Sequence, residues 1–152
     1  MSFQMYVPTR ILFGEGQFDF NNPTHLIFGS GSIAELGKQK LPGKKAMIVI
    51  SNGKSTKRNG ALEKTEKELK LAGAETVLFD KIMPNPLKQT VMEGAAFAKE
   101  NHCDFIVALG GGSVMDASKA IAAMAANDGD LWDYISGGTG KGLPLMKKYL
   151  QV

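Results

Sequence analysis

The sequence predicts an α/β protein, a parallel sheet with helices on its flanks. Three observations carry that expectation: short continuous apolar runs, stretches of helical period between them, and turn-forming residues at the junctions. Ala46-Met-Ile-Val-Ile-Ser51 is the first apolar run, bounded by Gly43-Lys-Lys and Asn52-Gly53. Such a run, with no polar alternation, is how a strand buried on both faces reads. Residues 61–72 are rich in Glu, Lys and Leu, with Leu62 and Leu69 on one face. They form an amphipathic helix closed by Gly73. Glu75-Thr-Val-Leu-Phe79 is the second strand, and the Pro84-Asn85-Pro86 loop separates it from a second helix, Leu87 to Asn101. Asp104-Phe-Ile-Val-Ala-Leu109 is the third strand, leading into Gly110-Gly111-Gly112-Ser113. In the next helix Val114, Ala117, Ile121 and Met124 make a narrow apolar stripe suited to packing on a sheet. Strands and helices alternating at this spacing imply βαβ units with right-handed crossovers.

The first 45 residues read differently. Pro8-Thr-Arg-Ile-Leu-Phe-Gly-Glu-Gly16 is echoed by Pro23-Thr-His-Leu-Ile-Phe-Gly-Ser-Gly31, a near-repeat of a strand-like segment and a glycine turn. One repetition does not make a solenoid. The pattern predicts an N-terminal β-hairpin or two extra edge strands, then a helix over Ser32 to Lys40 with Ser32 as its N-cap.

Composition narrows the function classes. The 152 residues suit one domain spanning 1–152, and 43% apolar with 22% charged residues is ordinary for a globular chain. Net charge is only +3, with lysines scattered among acids, so neither nucleic acid nor a membrane surface is an expected partner. Cys103 has no partner cysteine in the chain, there is no apolar run of membrane-spanning length, and Met-Ser-Phe-Gln-Met-Tyr lacks the regions of a signal peptide. The expected location is cytoplasmic.

Chemistry concentrates in Leu109-Gly-Gly-Gly-Ser-Val-Met-Asp-Ala-Ser-Lys119. Glycines at the carboxyl end of a buried strand let backbone approach a ligand without Cβ interference. The helix beginning there offers unpaired N–H groups and the positive end of its dipole, which suits a pyrophosphate, and Ser113 adds a hydroxyl donor. Open α/β sheets bind ligands outside the carboxyl ends of their strands, where this loop lies. The alternative is a tight strand-to-helix turn with no ligand, and a glycine triplet alone leaves that open. No G-x-G-x-x-G comes after the first strand, where Ser51-Asn-Gly-Lys-Ser-Thr-Lys-Arg58 stands instead. That departs from the ordinary dinucleotide fingerprint.

Taken together, Pro23–Gly31, the Pro84-Asn-Pro86 loop, Gly110-Gly-Gly-Ser-Val-Met-Asp-Ala-Ser-Lys119 and Asp130-Leu-Trp-Asp-Tyr134 resemble the iron-containing (group III) alcohol dehydrogenases over nearly the whole chain. Glycerol dehydrogenases and dehydroquinate synthases share the glycine loop, and the N-terminal Pro-Thr-x-x-x-Phe-Gly-x-Gly pattern favours the alcohol dehydrogenases among them. The resemblance implies a Rossmann-like parallel sheet with flanking helices and an N-terminal β-hairpin, serving as a dinucleotide-binding domain. It places a pyrophosphate on the amides of Gly111, Gly112, Ser113 and Val114, and brings Asn85 to the cofactor from the neighbouring loop. Asp116 would bond the nicotinamide side or organise the loop, and Lys119 could pair with it. For both, simple satisfaction of a helix start stands as the alternative.

Asn52, Gly53, Lys54 and Ser55 bear on cofactor choice. An acid at the end of the first strand would bind the adenosine ribose and repel a 2′-phosphate. None stands there; Lys54, Lys57 and Arg58 could neutralise a phosphate. The segment resembles NADP-using members of the family, so NADP is expected over NAD, the other reading being a solvated basic loop. His25, His102, Trp132 and Tyr134 read as structural or exposed residues.

In full-length relatives a hydride passes between the nicotinamide and an alcohol carbon while a divalent metal, Fe²⁺ or Zn²⁺, polarises the substrate oxygen. An Asp and three His of a helical domain hold the metal, and a threonine- and glycine-rich loop grips the cofactor. This sequence stops at Val152 before either feature and has two histidines. The expectation is therefore a chain without the C-terminal helical metal-binding domain, inactive alone, with a non-catalytic nucleotide-binding or assembly module as the competing reading. Sheet surface left uncovered would favour a homodimer.

Overall fold

The computed structural model describes residues 25–137 and 140–144. Most of the predicted β-hairpin, including all of its first copy, lies outside them. Within the second copy, residues 25–28 form neither strand nor helix, so that part of the expected strand is not found. Ser32–Lys38 is a 3-10 helix rather than the α-helix expected to Lys40. Its cap is Gly31 at φ +78°, and no side chain caps it. The left-handed turn at glycine takes the place assigned to Ser32.

The rest matches the predicted alternation of strands and longer helices, with two short helices added at 55–58 and 131–134 that were not expected. β1 is Lys45–Ser51, followed by a four-residue turn of helix α1, Ser55–Arg58, and by α2, Ala61–Leu71. β2 spans Glu75–Ile82, α3 Lys88–Glu100, β3 Phe105–Ala108, α4 Gly112–Ala126 and α5 Leu131–Tyr134. The sheet runs β2-β1-β3, and both pairings are parallel. β1 is thus the central strand, and Ala46 to Ile50 are completely buried, as an apolar run between two helical layers should be.

Alternation along β1 divides two cores. Ala46, Ile48 and Ile50 point to the side where Leu62 and Leu69 of α2 pack, with Phe105 from β3. Met47 and Val49 point to the other side, where Phe79, Ile106 and the apolar faces of α3 and α4 meet. Val114, Ala117, Ile121 and Met124, the predicted stripe, are all buried there. Gly94 allows α3 and α4 to approach: a Cβ at that position would lie 2.6 Å from Ile121 Cδ1. Apolar burial of this kind contributes about 25 cal/mol per Å² and drives the layering.

β2 is longer than its apolar run suggested. Asp80 and Lys81 read as a strand end, yet the strand continues to Ile82. The register changes between Val49↔Phe79 and Ser51↔Ile82, so Asp80 and Lys81 together stand opposite Ile50. This is a β-bulge on an edge strand.

Candidate functional site

A parallel sheet brings the loops at the ends of its strands to one edge. Here they are residues 52–55 after β1, 83–87 after β2 and 110–112 after β3. The chain leaves β1 toward the α2 face and leaves β3 toward the α4 face, so adjacent strands part in opposite directions. That topological switch opens a crevice between their carboxyl ends, where open α/β sheets bind ligands. Val49 pairs with Ala108, and the Leu109 amide donates to Val49 O at 2.9 Å. The glycine loop therefore rises beside the last residues of β1, and segment 52–55 and segment 110–113 stand on either side of the switch.

The three glycines divide their work. Gly110 serves packing: a Cβ there would lie 2.7 Å from Val114 Cγ2. At Gly111 and Gly112 a Cβ would meet nothing within 4 Å. The space over those two residues is open, a cradle that side chains would fill. Gly111 is the N-cap of α4 with extended backbone and no side-chain cap. The amides of Gly111, Gly112 and Ser113 find no backbone acceptor among the described residues, whereas Val114 and Met115 both donate to Gly111 O, at 3.0 and 3.1 Å. Val114 is buried and its amide engaged, so its part is to seat the helix and shape the turn. Three such amides at the start of a fifteen-residue helix suit an anionic group such as a diphosphate.

The structure also places the other predicted positions. Asn52, Gly53, Lys54 and Ser55 are exposed at the end of β1, with the Asn52 amide donating to Ile82 O at 2.8 Å. Asn85 is exposed between its two prolines in the left-handed region, at φ +52°. Asp116 is highly exposed on α4 just past its first turn, with Lys119 Nζ 3.9 Å away. Lys54 and Arg58 form no ion pair among the described residues. Lys57, grouped with them as a free cation, is instead bonded to Asp80 Oδ2 at 2.6 Å. Lys57 holds the Asp80 carboxyl below its ordinary range, chiefly through that hydrogen bond. No local pattern signals this pair, since its members are 23 positions apart.

Beyond α4, Asp130 caps α5 through the Trp132 amide at 2.8 Å, and Asp133 accepts from the Asp130 amide at 3.1 Å. Lys88, at the first position of α3, bonds Asp130 at 2.9 Å, which ties the start of α3 to the start of α5. Lys141 pairs with Asp133 at 2.7 Å. Each lysine lowers its partner's pKa by hydrogen bonding. Lys88 comes two residues after Pro86, so this pair also anchors the loop that presents Asn85. Among the described residues no group of three or more His, Cys, Asp and Glu could hold a metal ion. His102 is exposed at φ +52°, where its amide closes α3 onto Lys99 O at 3.0 Å. Cys103 is buried, and desolvation raises its thiol pKa. No helix among the described residues is long and apolar enough to cross a membrane.

Comparison with known proteins fits this arrangement. The profile of the family described as iron-containing alcohol dehydrogenase matches residues 23–152. Probable NADH-dependent butanol dehydrogenase 1 of Bacillus subtilis is 42% identical over 119 residues, covering 78% of this chain and 31% of that protein. NADP-dependent alcohol dehydrogenase 3 of Entamoeba histolytica is 42% identical over 106 residues, covering 69% of this chain and 27% of its own length. The crystal structure of NADH-dependent butanol dehydrogenase A from Thermotoga maritima superposes with a TM-score of 0.78 at 32% identity, over 89% of this chain and 33% of that one. The chain thus spans about a third of the length of the relatives it matches.

Proposed function

This chain belongs to the iron-containing alcohol dehydrogenase family, and from that premise we propose that it is the nicotinamide-dinucleotide-binding part of a dehydrogenase acting on small alcohols and aldehydes. The observation that carries the proposal is the open cradle over Gly111 and Gly112, beside amides of Gly111 to Ser113 that find no backbone acceptor among the described residues. A diphosphate there would meet fixed N–H donors and a helix dipole without any side chain having to move. The adenosine end would lie toward Asn52 to Ser55, across the switch point, and Asn85 would reach the cofactor from the β2 loop. Asp116 would border the nicotinamide side.

The cofactor supplies the hydride chemistry, and these residues supply binding and orientation. NADP is the proposed cofactor and NAD the alternative. Glycine, serine and the cations Lys54 and Arg58, which form no ion pair among the described residues, come after β1, with no acid among residues 52–58 to repel a 2′-phosphate. Relatives named for NADH outnumber those named for NADP, so the choice rests on the segment's own chemistry.

No metal-ligand cluster occurs among the described residues, and we expect the 152-residue chain to bind nucleotide without oxidising alcohols. Fluorescence titration with NADPH and NADH tests the binding, and an alcohol-dependent NADP reduction assay with added Fe²⁺ or Zn²⁺ tests the chemistry. Binding without turnover is expected. Absence of binding, or binding indifferent to Gly112→Val, defeats the proposed site; turnover defeats the division of labour.

A further inference from the structure

We infer that the Lys57–Asp80 ion pair sets the cofactor selectivity of this chain, acting as an acid-held cation at the adenosine end of the site. The inference rests on the reading that residues 52–55 receive the adenosine moiety, and deepens it by naming two residues on different elements. Asp80 lies in the bulge of β2, opposite Ile50, where one extra residue enters the strand just below the carboxyl edge. Bulges re-aim side chains and occur preferentially beside functional sites. The Asp80 carboxylate reaches Lys57 of α1 at 2.6 Å, and α1 starts at Ser55, the last residue of the proposed adenosine segment. The two side chains remain 45% and 44% exposed, so a ligand can still meet both.

The chemistry of the pair makes selectivity depend on its balance. A bare carboxylate at the edge of a nucleotide-binding sheet favours a ribose diol and repels a 2′-phosphate. A carboxylate neutralised by lysine repels far less, and the same ammonium can donate to a phosphate oxygen as well as to the acid, having three N–H groups. Lys57 is therefore both the mask over Asp80 and a donor to a 2′-phosphate. Asp80 in turn holds Lys57 beside the segment and competes for it. Removing either member should move selectivity, in opposite directions.

The test measures NADPH and NADH dissociation constants at equal salt on the full 152-residue chain, with each variant's fold checked by thermal melting. Lys57→Met exposes Asp80 and removes a donor, and should shift the NADPH-to-NADH affinity ratio toward NADH by about tenfold. Asp80→Asn frees Lys57 and should shift the ratio toward NADPH by about threefold, the smaller value fitting an exposed pair. The double variant should fall between the two. Lys70→Met, which removes a lysine at the opposite end of α2, should leave the ratio unchanged if position rather than net charge matters. Asp80→Ser replaces Asp80→Asn if the latter does not fold. Ratios unmoved by both single variants, shifted the same way by both, or shifted equally by Lys70→Met overturn the inference while leaving the nucleotide site standing. Wild-type chain that binds neither nucleotide overturns the site reading itself, and the inference with it.

Discussion

The two edges of the sheet treat their backbone groups in opposite ways. At the amino edge every connection closes on itself. Gly73, at φ +87°, ends α2 with its amide on Lys70 O at 3.0 Å and the Ala74 amide on Leu69 O at 2.9 Å. His102 and Cys103 repeat that closure at the end of α3, on Lys99 O and Ala98 O, each at 3.0 Å. Asp104 Oδ2 accepts from the amides of Lys44 and Lys45 at 2.7 and 2.9 Å, and Gly43 leaves room for it, since a Cβ there would run into the Asp104 side chain. At the carboxyl edge the amides of Gly111, Gly112 and Ser113 point to no backbone acceptor among the described residues, and added Cβ atoms at the two glycines would touch nothing. Both edges use glycine, but one uses it to close packing and the other to leave room. The same residue type therefore closes packing at one end of the sheet and leaves open space at the other.

Matched substitutions at the two edges test that contrast most strongly. Gly43→Val should cost about 1–3 kcal/mol of stability, as overpacking does, and be read as a lowered melting temperature with any nucleotide affinity retained in the folded fraction. Gly112→Val should do the reverse, keeping the melting temperature and weakening NADPH about 30-fold, roughly 2 kcal/mol. Equal melting losses in both variants would erase the distinction between the edges.

A middle-sized effect is expected beneath the glycine loop. Ser118 on α4 is completely buried, and its hydroxyl has no hydrogen-bond partner among the described residues. An unpaired buried hydroxyl costs about 1–3 kcal/mol, so Ser118→Ala should stabilise the fold by about 1 kcal/mol in chemical denaturation. A destabilised Ser118→Ala would mean that the hydroxyl is satisfied in solution.

Acid should loosen the amino edge. The amides of Lys44 and Lys45 hold the Asp104 carboxyl below its ordinary 3.8. A depressed folded pKa gives stability that is present above the ordinary value and lost as pH falls through the folded one. The contribution of Asp104 should therefore fade only below about pH 3.8. Asp104→Asn should flatten that limb of a stability-versus-pH curve; an unchanged limb would assign it to other carboxylates. The least effect belongs to Lys119→Met. Its pair with Asp116 spans 3.9 Å on an exposed helix face, and losing it should change stability by ~0.3 kcal/mol, near the limit of denaturant titration.

Much of the fold was legible because its signals are local. The run Ala46 to Ile50 announced a strand covered on both sides, and the stripe from Val114 to Met124 announced a helix lying on a sheet. The glycine turn was legible too, although its separate roles were not: that Gly110 packs against Val114 while Gly111 and Gly112 stay open depends on how α4 sits. Asp80 and Lys81 concealed the last part of β2, because polar residues on an edge strand look like the end of a strand. Ser32 looked like a helix cap, yet Gly31 supplies the turn in a left-handed conformation that serine adopts far less readily.

By itself the sequence determined the alternation of strands and helices, the two-faced burial of β1 and the position of the glycine loop, since periodicity and backbone sterics act over a few neighbouring residues. Tertiary structure alone decided that β1 lies between β2 and β3, that the chain leaves β1 and β3 toward opposite faces, and that Asp80 meets Lys57. Strand order is chosen by the simultaneous packing of both sheet faces, a condition shared by residues far apart in the chain. A contact across that distance exists only once the layers have closed.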